Sequence, residues 1–165
     1  MLNNILETAL HLIITLDKDL FEIISLSLLV TLTALTISVI ISLPFGAFLV
    51  FYKNRAQSIT ILISNTLMGM PPVVLRLIIY TLVSKKGIFG FLDILYTPAV
   101  MILAQTLLII PIVTSLTYEE IYKKNKEYKL LLDSLNLSKY SKLKTLIYEC
   151  RYALLTVALT GFGRA

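Results

Sequence analysis

Three long runs without a charged residue constrain this chain more than any other feature. They cover Ile23 to Tyr52, Ala56 to Leu75 and Ile94 to Tyr118. About 20 apolar residues in a helix cross the hydrocarbon core of a bilayer, and each run reaches that length. Only 15% of the residues carry a charge, well below the roughly 25% of soluble domains. The sequence therefore predicts an all-α integral membrane helical bundle with three full transmembrane helices.

A single membrane domain accounts for residues 1–165. Apolar residues at helical spacing from Leu2 to Leu16 predict an amphipathic helix that lies in the membrane interface. The expected order along the chain is an interfacial helix (1–20), three transmembrane spans (23–118), a polar and mainly helical cytoplasmic loop (119–151) and the start of the next span (152–165).

The last apolar stretch is short. Tyr152 to Gly163 provides 12 uncharged residues, and a helix of that length is about 18 Å long. The hydrocarbon core is about 30 Å thick, so a fourth span begins here without crossing it. We therefore expect either a fragment of a longer chain or a reading frame that ends early.

The basic residues predict the orientation. Ten of them follow the first and third spans, and three lie on the other side of the membrane: Lys18, Lys85 and Lys86. The positive-inside rule assigns the larger group to the cytoplasm and the N-terminus to the outside. This distribution accounts for the net charge of +5, so nucleic acid is not an expected partner, whereas membrane lipid is.

The sequence lacks the chemistry of an enzyme site. Its one histidine, His11, and its one cysteine, Cys150, form neither a metal-ligand pattern nor an internal disulfide. It has no phosphate-binding Gly-x-x-x-x-Gly-Lys loop and no nucleophile motif. We therefore expect no catalysis by this chain and no metal or cofactor.

The stretch MGMPPVVLRLIIY, residues 68–80, interrupts the second apolar run with two adjacent prolines. Pro71 and Pro72 remove two backbone donors, and the carbonyl groups left behind cannot bond water in lipid. Such a break is tolerated inside a bundle or beside an aqueous cavity. In the third run Gln105 lies at similar depth, and Pro111 predicts a second broken helix.

These interruptions predict a solute path or gate between the second and third spans. A proline kink with a packing role alone is the alternative, because transmembrane helices tolerate Pro and Gly. The candidate path or gate residues are Asn65, Gly69, Pro71, Pro72, Gln105, Thr106 and Pro111.

Arg76 lies past the middle of the second span, toward the outer face. A central arginine costs about 2.5–3.5 kcal/mol on insertion scales, so its position requires an explanation. Two interpretations stay open. The side chain reaches the outer headgroups along its apolar stem, or it attracts anions near the mouth of a path.

The polar segment and the residues after it resemble a known loop. The sequence LLLDSLNLSKYSKLKTLIYECRYALLTVALTGFGRA is similar to the cytoplasmic loop of ABC importer permeases, which docks on the ATPase subunit. Residues 135–138 stand where that family has Leu-Gly-Ala-Ser, and Glu149 and Arg151 match its Pro-Glu-x-Arg region. The resemblance therefore implies cytoplasmic coupling helices.

The loop departs from the family pattern at several positions. Leucines occupy 130–132 in place of Glu-Ala-Ala, and Tyr148 replaces a proline. Asn136 replaces the turn glycine, and Asn is the next best residue for left-handed backbone. The ATPase-coupling residues that the resemblance implies are Leu130, Leu131, Leu132, Leu135, Asn136, Leu137, Ser138, Glu149 and Arg151.

The membrane spans carry a more specific resemblance. NTLMGMPP, TPAVMILAQTLL and PIV are similar to the permease subunits of tungstate importers. The resemblance implies a permease subunit in a bacterial plasma (inner) membrane that imports an oxyanion by alternating access. Tungstate is the first choice, and molybdate and sulfate are the others.

The same resemblance implies three partners. They are an ABC ATPase dimer, an extracytoplasmic solute-binding protein and a second permease copy that completes a homodimer. A structural membrane subunit or anchor that transports nothing is the alternative function. It explains the hydrophobicity and the loop charges equally well, but it does not explain polar residues beside broken helices in the membrane.

Overall fold

The computed structural model describes residues 18–52, 54–135 and 137–164, except for the Leu92 side chain. Most of the predicted interfacial helix and the turn residue Asn136 lie outside the described residues. The described chain contains only helices and turns: α1 (Lys18–Leu49), α2 (Arg55–Met68), α3 (Pro72–Val83), a 3₁₀ turn (Gly90–Leu92), α4 (Pro98–Glu127), α5 (Lys129–Ser134), α6 (Lys139–Glu149) and α7 (Arg151–Phe162).

Two helices match predicted membrane spans. In the described chain, α1 with 32 residues and α4 with 30 residues are long and apolar enough to cross a bilayer. The prediction that the second apolar run is part of one full transmembrane helix is not confirmed, because α2 and α3 meet at an angle of 102°. Together they form a broken span or a re-entrant loop. α7, with 12 residues, is shorter than a span, as its apolar length predicts.

Local sequence signals explain where several helices begin. Pro72 and Pro98 occupy the first turns of α3 and α4, where a missing N–H costs nothing and the fixed φ favours the helix. Ser138 caps α6 because its hydroxyl accepts a hydrogen bond of 3.2 Å from the Ser141 backbone N–H. These residues therefore define where α3, α4 and α6 begin.

A ladder of small residues joins α1 to α4. Ala34, Ser38, Ser42 and Gly46 lie one turn apart on α1, and all four are buried. Small residues at this spacing let two helices approach closely in lipid. The Ser38 hydroxyl donates to the Thr106 carbonyl at 3.3 Å, and the other serine repeats this contact one turn later. The contact between these helices is the most extensive in the described fold.

The expected second broken helix at Pro111 is wrong, because α4 continues through this residue from Pro98 to Glu127. Pro111 has no backbone N–H, so it cannot donate a hydrogen bond to the Leu107 carbonyl four residues earlier. It is buried, and hydroxyls from α1 donate to the carbonyls of Thr106 and Ile110 on either side of that position. Packing against α1 therefore holds this proline inside a helix.

The polar segment packs against one end of the bundle. Buried residues of α1, α4, α5, α6 and α7 form one apolar cluster with Val50 just after α1 and Cys150 between the last two helices. Its members are Ala47, Val50, Ile121, Leu132, Leu146, Cys150 and Leu154. The opposite end holds a smaller cluster of Ile79, Val83 and Ala104. The polar segment therefore shares a buried apolar core with the long helices at one end of the bundle.

We expect Gly46→Ala to destabilise the protein, because an added Cβ would lie 2.7 Å from the Thr114 carbonyl oxygen and 3.0 Å from the Thr117 Cβ. The helices must separate to make room, at a cost of about 1–3 kcal/mol in the free energy of unfolding. Thermal unfolding in detergent measures the loss. Gly163→Ala is the control, because its nearest atoms would lie at 3.7 and 3.8 Å. Equal stability of the two variants would contradict the close contact.

The thiol of Cys150 should react slowly in the folded protein. Its side chain is only 1% exposed, and burial raises the pKa of the thiol above its ordinary value of 9.0. Since the thiolate is the nucleophile, maleimide labelling at pH 7 should be slow and should speed up as the pH rises. Protein unfolded in SDS is the control. Equally fast labelling of folded and unfolded protein would refute this burial.

Candidate functional site

The break between α2 and α3 leaves no carbonyl of the last α2 turn without a donor. Gly69 N–H donates to the carbonyls of Asn65 and Thr66 at 3.3 and 3.2 Å, and Met70 N–H donates to the Leu67 carbonyl at 3.1 Å. The Met68 carbonyl would normally accept from residue 72, which is a proline. It accepts instead from the Arg164 guanidinium, Nη1 to O, at 3.4 Å. The missing backbone donor is therefore replaced by a side chain from beyond α7.

Asn65 fastens α2 to α4 close to the break. The buried Ser115 hydroxyl donates a hydrogen bond to the Asn65 side-chain oxygen. Nearer the start of α2, the Gln57 amide donates to the Tyr118 hydroxyl at 3.3 Å. The first half of the broken pair is therefore attached to the long helix at two levels.

Gly69 does not use the conformational freedom of glycine. Its φ is −78° and its ψ is −11°, which any residue adopts in a helix. Pro71 has φ −60° and ψ 133°, so the change of direction lies at the prolines. The two prolines alone account for the turn.

The break faces Pro111 across a small apolar cavity. The cavity has a volume of about 30 Å³, which is room for about one water molecule. Leu67 and Met70 line it from the break, and Pro111 lines it from α4. The structure thus brings together the two proline positions that the sequence analysis singled out.

Thr106 does not face this cavity. Its hydroxyl donates to the Ile102 carbonyl of its own helix at 2.7 Å, and its carbonyl accepts from Ser38 of α1. Both contacts belong to helix packing. Its neighbour Gln105 points elsewhere, because successive residues on a helix are about 100° apart.

Gln105 and Arg76 line a second, larger cleft between α1, α3 and α4. Its volume is about 480 Å³, and it lies at the end of the bundle opposite the polar segment. Beside apolar residues, its wall carries five polar side chains: Ser27, Thr31, Arg76, Tyr80 and Gln105. Hydroxyls, an amide and a guanidinium are all hydrogen-bond donors, so the cleft is suited to an anion.

The predicted coupling residues divide into a buried and an exposed set. Leu132 is 3% exposed and belongs to the apolar cluster, so it anchors α5 to the bundle. Leu130 is 87% exposed, and Leu131 and Leu135 are exposed as well. The half-buried Leu137 packs on the cluster. Three exposed leucines within six residues of a polar segment form a candidate contact surface, because contiguous apolar patches mark interaction sites.

An ion pair links α5 to α6. Lys142 Nζ lies 2.6 Å from the Asp133 carboxylate. This hydrogen bond, and then the charge of Lys142, holds the pKa of Asp133 below its ordinary value of 3.8. The ion pair therefore stabilises the folded protein at pH values above the ordinary pKa, and this stabilisation is lost as the pH falls through the lowered pKa. The brace is intact at neutral pH.

The last two predicted coupling residues lie where α6 passes into α7. Glu149 is exposed and ends α6. The Arg151 guanidinium lies over the rings of Tyr148 and Tyr152, at 4.3 and 4.7 Å from their centres. Contacts of this kind are favourable and orient the charged group.

Sequence reasoning misses two contributors to the site. The sequence pattern places Arg164 only at the start of the next helix, and Ser115 is one of many small residues in the third span. The signal for Arg164 is a charge next to an apolar run, the same signal that draws attention to Arg76. The Ser115 contact has no local signal, because its partner is 50 residues away.

Comparison with known proteins identifies relatives along almost the whole chain. The tungstate uptake system permease protein TupB of Peptoclostridium acidaminophilum is 31% identical over 157 residues, which are 95% of this chain and 69% of that protein. TupB of Campylobacter jejuni is 33% identical over 156 residues, 94% of this chain and 65% of that protein. A Haloferax volcanii protein named "Probable anion ABC transporter permease protein" is 27% identical over 146 residues, 88% of this chain and 63% of that protein.

The chain spans about two thirds of the length of these relatives. No protein-family model matches it, and no solved structure gives a significant match. Sequence identity above 30% across most of both proteins is the finding that assigns the family. The chain belongs to the family of ABC transporter permeases that includes the tungstate uptake permeases.

Proposed function

We propose that this chain is the membrane-spanning permease subunit of an ABC importer that moves an oxyanion across the bacterial plasma (inner) membrane. Tungstate is the first candidate because two relatives are named for it. Molybdate and sulfate carry the same charge on a tetrahedral anion and are the other candidates. The observation that carries the proposal is the 102° break between α2 and α3, because discontinuous helices form substrate sites in other transporters.

The proposed path has an entry and a gate. Arg76 and Gln105 belong to the entry, since they line the cleft of about 480 Å³ at the end opposite the polar segment. In the expected orientation, with the N-terminus outside, this cleft lies on the outer side. The gate is the break from Gly69 to Pro72, held by Asn65 and facing Pro111 across the small cavity.

The proposed coupling surface lies at the other end. The exposed leucines 130, 131 and 135 would contact an ABC ATPase dimer, with Ser138, Glu149 and Arg151 at the margin. Leu132 and Leu137 would hold this surface on the bundle through the apolar cluster. The proposal also includes a second permease copy and a solute-binding protein outside the membrane. Transport occurs by alternating access, and the ATPase partner hydrolyses ATP.

Removing the exposed leucines should detach the ATPase. We expect Leu130→Gln combined with Leu135→Gln to lower ATPase co-purification about tenfold or more, because an apolar contact core carries most of an interface's binding energy. Unfolding temperature should not change, since these side chains are exposed. Ile88→Gln is the matched control, an aliphatic side chain 76% exposed at the far end. Normal ATPase recovery with the double variant would argue against docking, and would favour an anchor that transports nothing.

Neutralising Arg76 should slow entry of the anion. We expect Arg76→Gln to reduce the initial rate of tungstate uptake several-fold at low concentration, because a cation in a cleft raises the local anion concentration. Arg76→Lys should retain most of the rate. Uptake into proteoliposomes of the assembled importer measures this, with Lys85→Gln as the control for a charge on the same side outside the cleft. An unchanged rate in Arg76→Gln would favour contact with lipid headgroups.

A further inference from the structure

α7 connects the coupling surface directly to the break. Cys150 alone separates it from α6, and the backbone hydrogen bonds Cys150 N–H to Leu146 and Leu154 N–H to Cys150 continue across the joint at 2.9 and 2.8 Å. From there α7 extends for 12 residues, about 18 Å. Its far end lies beside Met68, the last residue of α2, because Arg164 just beyond α7 contacts the Met68 carbonyl.

α7 is seated against the long helices near its far end. Gly161 is buried, and a Cβ added there would lie 3.1 Å from side-chain atoms of Ile109 and Val113. Val157, one turn earlier, belongs with Ile109 and Val113 to a further buried apolar cluster, against which Met68 also packs. Movement of α7 along or away from α4 would therefore displace Arg164 relative to the break.

The Arg164 contact is suited to being made and released. It supplies a donor to the Met68 carbonyl, whose usual partner is lost to Pro72. Its length of 3.4 Å lies beyond the usual range for N–H···O hydrogen bonds, so it is easily exchanged. Without it, the Met68 carbonyl needs another donor such as water, since an unsatisfied carbonyl is unfavourable within a membrane.

We propose that Arg164 is a positioning residue of the gate: its guanidinium holds the Met68 carbonyl while the break is closed, and movement of α7 with the docked ATPase releases it. The inference rests on the proposed function and adds the link between the coupling surface and the gate. Release admits water to the carbonyl, and hydration of the break starts the opening of the path. The arginine contacts the gate backbone and not the transported anion.

The first arm of the test needs no partner. Met70→Cys introduces a reporter thiol at the break, and Cys150 can stay because it is buried. The protein in lipid nanodiscs is labelled with maleimide. We expect Arg164→Ala to raise the labelling rate at position 70 about fivefold or more, whereas Arg164→Lys, which keeps a charged donor, and the neighbouring control Gly163→Ala stay near the parent rate. Unchanged labelling in Arg164→Ala overturns the inference.

The second arm uses the assembled importer in proteoliposomes and counts ATP hydrolysed per tungstate transported. We expect this ratio to rise several-fold in Arg164→Ala, because the gate no longer follows the ATPase, and to recover in Arg164→Lys. A role in stability alone would lower the unfolding temperature and leave the ratio unchanged, which also overturns the inference. Absence of uptake by the parent importer would instead refute the proposed function, a failure distinguishable because the first arm is read without transport.

Discussion

The close contact between α1 and α4 is the interaction on which the other features depend. Lipid gives two apolar helices no hydrophobic reason to associate, so packing and hydrogen bonds must hold them. Small residues at one-turn intervals from Ala34 to Gly46 allow the approach, and Ser38 and Ser42 add hydrogen bonds to the opposite backbone. Every shorter helix of the membrane part then packs against α4, so α4 is the helix that the others share as a packing partner.

Backbone hydrogen bonding in lipid determines why the helix breaks at Pro72 and continues through Pro111. Pro72 leaves the Met68 carbonyl to a guanidinium, whereas Pro111 lies within a helix whose neighbouring carbonyls receive hydroxyls. The same residue type produces a 102° bend at the tandem Pro71–Pro72 and an uninterrupted helix at Pro111. The difference lies in the number of prolines and in the side chains that pack beside them.

Features with local causes could be predicted from the sequence. The apolar lengths of α1 and α4, the break at Pro71 and the cap at Ser138 follow from residues within a few positions. Features with distant causes could not. The hydroxyl beside Pro111 comes from 68 residues away, and the guanidinium at Met68 comes from 96. Likewise, the exposure of Leu130 and the burial of Leu132 depend on which face of a six-residue helix contacts the bundle.

The single-residue joint at Cys150 gives α7 the mechanics of a lever. A rod of about 18 Å that pivots at one end moves its tip by roughly 3 Å for a tilt of about 10°, more than the slack in any hydrogen bond. In the proposed coupling, a shift at the joint too small to disrupt the apolar cluster would therefore already break the contact between Arg164 and the Met68 carbonyl. If the coupling surface binds an ATPase as proposed, no large rearrangement at that surface is needed to alter the break between α2 and α3.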